Sequence, residues 1–351
     1  MKNWFFLVFA IAGFKVWGQA SENFYEYINF EKRDSILEIV DRFPAGTEIS
    51  IAIISGGEPI FFGLRKSRDT IKAVENYQSA FEIGSITKVF TATVLANFVE
   101  EGTIRLNDDV ADYLGYETEN ELSISFKQLS NHTSGLPRLP DNFSNWVKDF
   151  RNPYKHYGEE ALKEYFKDYI SIKKEDQNKY AYSNLAVGLL GQALSKIKNQ
   201  ELESLYQTLI FSKNNMKNST VRRETLKTRL VDGNGALNWD LGALEGAGAI
   251  LSTTQDLSNF AKAQFDPNNT AMKMTREKTF EISENTAIGL GWHLSYSDEK
   301  NLVRHGGGTG GYRSFMALDV LKKNGIIVLS NVSAQSANAS SIGDIAMKLW
   351  P

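Results

Sequence analysis

The chain has 351 residues, 42% apolar, 12% aromatic and 23% charged, with no Cys and a formal net charge of −3. This excludes low-complexity disorder, a disulfide framework and Cys-based zinc or thiol chemistry, and a strongly basic nucleic-acid binder. The length suits one large domain or two intimate subdomains with an ample core.

Residues 1–20 read as a signal peptide. Lys2 precedes the apolar run 4–14, and Gly18 and Ala20 stand at cleavage-site spacing. The run is too short to span a bilayer comfortably; the alternative is an uncleaved N-terminal anchor. No later apolar run reaches spanning length. The expectation is an exported protein, periplasmic or secreted, with 21–351 as the functional domain and no stable membrane span after cleavage.

In 30–43, Ile36, Ile39, Val40 and Phe43 share a helical face. The β-rich stretches 48–54 and 59–64 flank Ser55-Gly56-Gly57-Glu58, which predicts a hairpin. From about 85 to 265 helical spacing dominates, most clearly at 86–101, 158–170, 185–197, 200–211 and 255–265. Strand patterns return at 290–296, 301–305, 313–318 and 325–331, and 338–349 predicts a closing helix. Strands at both ends of the chain can pair only across the helical insertion. The predicted fold class is therefore α/β (α+β): an antiparallel sheet of about five or more strands, flanked by terminal helices, with an inserted all-helical subdomain. The sheet part is placed at about 30–84 and 285–351, and the helical part at about 85–284. The cleft between them is the natural place for a site.

No G-x-S-x-G is present, so an α/β-hydrolase elbow is unsupported. The four His form no metal-binding spacing. Ser followed three residues later by Lys occurs at Ser85, Ser171, Ser195 and Ser297, and only context separates them. Ser297 lies in a polar turn, Ser195 at a helix end and Ser171 in a charged loop. Ser85 opens a long apolar helix, where positions i and i+3 share a face. Ser85 and Lys88 then point the same way, beside unpaired N–H groups and the positive end of the dipole. Val89 and Phe90 would desolvate Lys88, which lowers an amine pKa and frees it as a base. A plain N-cap for Ser85 is the competing reading.

Tyr182-Ser183-Asn184 stands at another helix entrance. A phenol near cations can serve as base and then acid, and the Asn amide can orient a carbonyl and the Lys amine. Capping by Ser183 or Asn184, with Tyr182 as a core aromatic, is the alternative. His305-Gly306-Gly307-Gly308-Thr309-Gly310-Gly311 satisfies G-x-G-x-x-G, but 312–318 alternates like a strand, and dinucleotide binding needs a helix there. Glycines between two strands instead let a substrate lie against backbone, with an N–H there facing one from Ser85. A flexible hairpin turn is the alternative.

Taken together, Ser85-Ile86-Thr87-Lys88, Tyr182-Ser183-Asn184 and His305-Gly306-Gly307 resemble the three motifs of the serine β-lactamase and penicillin-binding superfamily. The Tyr form of the second motif resembles the class C β-lactamase-related branch, which includes esterases and D-amino-acid peptidases. Supporting stretches resemble that branch too: the loop 129–137, the helix exit 100–108, and 247–253 followed by Asp256-Leu257. The resemblance covers about 45–350 and implies a β-lactamase/transpeptidase-like fold. It further implies an acyl-enzyme on Ser85, with Lys88 and Tyr182 sharing proton transfer and no metal or organic cofactor. The oxyanion would sit between the N–H groups of Ser85 and Gly308, with Asn184, His305 and Gly307 in substrate binding. The acyl substrate would be a β-lactam, a D-amino-acid peptide or a small ester; a non-turnover penicillin-binding or sensor domain and a cell-wall DD-carboxypeptidase are the alternatives.

One departure bears on substrate. Dedicated β-lactamases of the branch usually carry Lys-Thr-Gly where this chain has His-Gly-Gly. The change replaces a lasting cation by a group mostly neutral at pH 7, which looks more like the peptidase and esterase members. Arg304 or Arg313 could restore the charge, although strand alternation turns Arg304 away from His305. Trp146, Trp239 and Trp292 read as packed aromatics rather than cleft residues, and Glu245 as a surface-loop acid.

Overall fold

The computed structural model describes residues 28–116, 123–297 and 300–351. The predicted signal segment 1–20 lies outside the described residues. The strands are β1 (Glu48–Ser55), β2 (Glu58–Lys66), β3 (Ile71–Ala73), β4 (Phe81–Glu82), β5 (Leu251–Ser252), β6 (Phe280–Ser283), β7 (Thr286–Ile288), β8 (His293–Tyr296), β9 (Asn301–Gly308), β10 (Arg313–Asp319) and β11 (Asn324–Ser330). Helices of eight residues or more are α1 (Phe30–Asp41), α2 (Thr87–Glu100), α3 (Asn184–Lys198), α4 (Thr254–Phe265) and α5 (Ser341–Lys348).

Nine strands form one antiparallel sheet in the order β3-β2-β1-β11-β10-β9-β8-β7-β6. The two ends of the chain meet where β1 pairs β11, with Ile51 opposite Val328. The β1–β2 hairpin closes through Gly56 and Gly57, whose φ of 58° and 93° suit the two-residue turn matching strand twist. Alternation along the central strands feeds two cores. Ile49, Ile51, Ile326 and Val328 pack with Ile36, Ile39 and Val40 of α1 and with Ile342 and Ile345 of α5. Ala52, Ile54, Ile327 and Leu329 face the helical body, where α2 is buried almost all round. Each fully buried Ile contributes roughly 1.5–3 kcal/mol over an exposed one.

The architecture is the predicted one, with informative differences. Residues 280–283 and 286–288 form edge strands β6 and β7 that periodicity does not reveal, because Phe280–Ser283 is half-exposed with polar residues between. The strand expected from 290 begins at His293, after a turn through Gly291 at φ 86°. The middle segment is not wholly helical: β5 pairs with β4 as a two-residue ribbon, too short to leave a periodic signal. The helices expected at 158–170 and 200–211 each widen into a π-turn, at Tyr165–Tyr169 and Gln207–Phe211. Among the described residues no helix is long and apolar enough to cross a membrane.

Candidate active site

The β4–β5 ribbon delivers the chain to Gly84, which holds φ 51° and starts the single 3₁₀ turn Gly84–Ile86 leading into α2. A Cβ on Gly84 would lie 2.5 Å from the amide nitrogen of Gly308, and one on Gly307 would lie 1.9 Å from the carbonyl oxygen of Ile83. Only glycine at both places lets the end of β9 run against the turn that carries Ser85. The Ser314 hydroxyl donates to the Ile83 carbonyl at 2.8 Å and fastens the same seam.

Ser85 is half-buried and does not cap α2: the N-cap position is Ile86, with no side-chain capping bond. The plain-cap reading of Ser85 is thus not what the structure holds. Its Oγ lies 3.1 Å from Lys88 Nζ. Lys88 is 1% exposed, and its amine also donates to Asn184 Oδ1 at 2.9 Å and to the Ala247 carbonyl at 2.7 Å. Both of those partners are acceptors only at these atoms. A neutral amine would spend its two protons on them and turn its lone pair to the Ser85 hydroxyl. Desolvation, with the nearby Arg138 charge added, pushes the Lys88 pKa well below the usual lysine range.

The second motif divides its labour. Ser183 caps α3, accepting from the Ala186 N–H at 2.9 Å, which leaves the Asn184 amide for Lys88. Asn184 Nδ2 points on to the Tyr154 hydroxyl at 3.3 Å. Tyr182 stands with its ring 4.9 Å from Lys88 Nζ and 5.2 Å from the Arg138 guanidinium carbon. Burial raises its pKa above the usual phenol range; a hydrogen bond with Ser85 and the Arg138 charge pull the other way.

His305 lies in the same group, its ring 6.3 Å from that of Tyr182. Its Nδ1–H donates to the Gly306 carbonyl at 2.7 Å, and its buried Nε2 has no partner. Burial and the neighbouring His293 and Lys88 push its pKa well below the histidine norm, so the imidazole is neutral. The structure thus brings Ser85, Lys88, Tyr182, Asn184, His305, Gly307 and Gly308 into one place, from three separated stretches of chain.

Sequence reasoning missed several neighbours. His132, at φ 62°, packs its ring 4.4 Å from Tyr182, and its Nδ1 accepts from the Ser183 N–H at 3.2 Å. His293 shares a hydrogen bond of 2.7 Å with the Tyr180 hydroxyl, and burial lowers its pKa to about 4. No group of three His, Cys, Asp or Glu among the described residues is set to hold a metal ion. Arg138 and Tyr154 carry no signal in the sequence, because neither belongs to a recurring spacing.

The suggested replacement cations stand elsewhere. Arg304 is exposed and donates to Ser295 Oγ at 2.6 Å. Arg313 pairs with Gly308, on the face opposite His305. Trp292 is fully buried and Trp146 donates to Glu164, as packed aromatics would. Trp239 instead packs its ring 5.2 Å from that of Tyr154 at a tilt of 48°, one side chain removed from Asn184. Glu245 is not a surface-loop acid. It is half-buried 3.6 Å from Arg222, and burial raises its pKa to about 7. With Glu82, Trp239 and Gly248 it lines a cavity of about 230 Å³ that Ser85 does not border.

Comparison with known proteins agrees with this geometry. Residues 38–343 match the family model described as Beta-lactamase. The chain is 26% identical over 325 residues to the D-alanyl-D-alanine-carboxypeptidase/endopeptidase AmpH of Escherichia coli, covering 83% of each. It is 29% identical to Beta-lactamase-like protein 2 of Dictyostelium discoideum, over 74% of this chain and 50% of that one. A beta-lactamase/D-alanine carboxypeptidase from Pseudomonas syringae superposes with a TM-score of 0.73 at 20% identity, covering 90% of this chain and 97% of that one. The chain belongs to the Beta-lactamase family and is a serine hydrolase of that family.

Proposed function

We propose that the protein cleaves an amide or ester through a covalent acyl-enzyme on Ser85. The observation that carries this is the Lys88 amine, 3.1 Å from Ser85 Oγ, buried without a carboxylate partner among the described residues and held by two acceptors. Ser85 Oγ bonds to the acyl carbon while its proton passes to Lys88 or Tyr182. The N–H groups of Ser85 and Gly308 receive the oxyanion. Tyr182 returns a proton to the departing nitrogen or oxygen, and water then cleaves the acyl-serine ester. Asn184 and His305 hold the acyl donor.

The substrate class is a β-lactam, a D-amino-acid peptide or a small ester. His-Gly-Gly and the likeness to a D-alanyl-D-alanine carboxypeptidase favour the peptide. Export rests on the leader-like pattern of 1–20. Incubation with nitrocefin, p-nitrophenyl esters and D-Ala-D-Ala peptides side by side identifies the class. Ser85→Ala should abolish turnover, about 10³-fold or more, while the melting curve stays in place. A fluorophosphonate should label the native chain at Ser85. Stable penicillin labelling without release would favour the sensor reading, and turnover surviving in Ser85→Ala would end the proposal.

A further inference from the structure

The third motif leaves a charge unaccounted for. His305 is neutral, Lys88 is buried and committed to Ser85, Asn184 and Ala247, Arg304 is turned to Ser295, and Arg313 lies on the opposite face of β9–β10. An acyl donor that carries a carboxylate on its leaving group would find no cation among the motif residues.

One cation does stand at the site. Arg138 follows the loop 129–137, is exposed, and forms no ion pair among the described residues. Its guanidinium carbon sits 5.2 Å from the centre of the Tyr182 ring, within the range of a cation–π contact. Its main chain is anchored independently, since the Arg138 carbonyl accepts from the N–H groups of Asn184 and Leu185. Its charge is felt at Lys88, Tyr182 and His132.

We propose that Arg138 determines specificity by receiving a carboxylate on the leaving group of the acyl donor. This rests on the reading of Ser85 and Tyr182 given above. On that reading Tyr182 hands its proton to the leaving atom, so that atom lies beside the phenol. A carboxylate one carbon beyond it comes within reach of the guanidinium over that ring. The guanidinium offers a fork of donors that suits a carboxylate. The function lost with the motif lysine is thereby carried by a different loop.

The test compares an N-acetylated peptide ending in D-Ala-D-Ala as the free acid with the same peptide as its C-terminal amide. Binding of both is measured by calorimetry in a Ser85→Ala background, so that turnover is not needed. With Arg138 in place the acid should bind about tenfold tighter than the amide, as a charge-assisted bond in a partly exposed site provides. Arg138→Gln should bring that ratio to near one, and Arg138→Lys should keep part of it. A ratio that survives Arg138→Gln, or an acid that binds no better than the amide when Arg138 is present, overturns the proposal. Fluorophosphonate labelling of Ser85 in the otherwise native chain reports separately on the nucleophile, so the two readings fail by different measurements.

Discussion

Two buried charged groups in this molecule are treated in opposite ways. Glu48, its side chain 4% exposed, sits in β1 and is met by Arg65 at 2.7 Å, by Arg229 and by Asn76 Nδ2 at 3.2 Å. Burial alone would raise its pKa, but these donors outweigh it and the carboxylate stays ionised. Lys88 is buried as deeply, yet no carboxylate faces it and Arg138 adds a like charge. The first arrangement secures a charge and the second weakens one. A structural ion is matched with its opposite; a reactive amine is kept from it, because only the unprotonated form can take a proton from a hydroxyl.

The contrast is broken most severely at Lys88. Lys88→Met removes the amine and keeps much of the volume. It should lower kcat/KM about 10²–10⁴-fold while leaving the melting temperature level or higher, since a desolvated amine is not a stabilising group. In the parent enzyme the rate should rise with pH on a limb set by Lys88, at a pH below the ordinary lysine range, because the neutral amine is the active form. A limb at the usual lysine pKa would contradict the proposed role.

Glu48→Ala should do the reverse. It leaves Arg65 and Arg229 facing each other and removes one of the two acceptors of Asn76 Nδ2. Urea unfolding should report a loss of about 2–4 kcal/mol with kcat unchanged. A large change in kcat at constant stability would show that the two centres are not independent.

The sharpening case, and the smallest effect, is Glu245, a third buried group. Its folded pKa of about 7 lies above the unfolded value of about 4.5. The folded protein therefore holds that proton more tightly. Stability is full below pH 4.5 and falls as pH rises through 7. Glu245→Gln cannot ionise and escapes this loss. It should be about 1–3 kcal/mol more stable than the parent at pH 8 and nearly equal at pH 4.5, as read from melting curves at the two pH values. A difference that does not change with pH would assign its effect to packing.

The three motifs were legible because each combines a reactive side chain with a helix entrance or a glycine-rich strand end, and such combinations constrain backbone as well as chemistry. Ser183 as the cap and Asn184 as the ligand of Lys88 could not be told apart from spacing, since both residues cap helices well. The clustering of His132, His293 and His305 around Tyr182 was hidden for another reason: it joins three separated stretches of chain with no shared period. Arg138 directly follows the loop 129–137 and has the sequence signature of any loop cation. Strands β6 and β7 were missed because an edge strand need bury only one side of a few residues. What the chain spells out locally is chemistry held by its own turn; what it conceals is chemistry assembled by the tertiary fold.

The paired glycines at positions 84 and 307 have a wider consequence. Main chain meets main chain beside Ser85, with the Ser314 hydroxyl fastening the seam, so the backbone that carries the nucleophile is fixed by peptide geometry. Side chains farther out can then vary to admit different acyl donors while this backbone seam stays as it is.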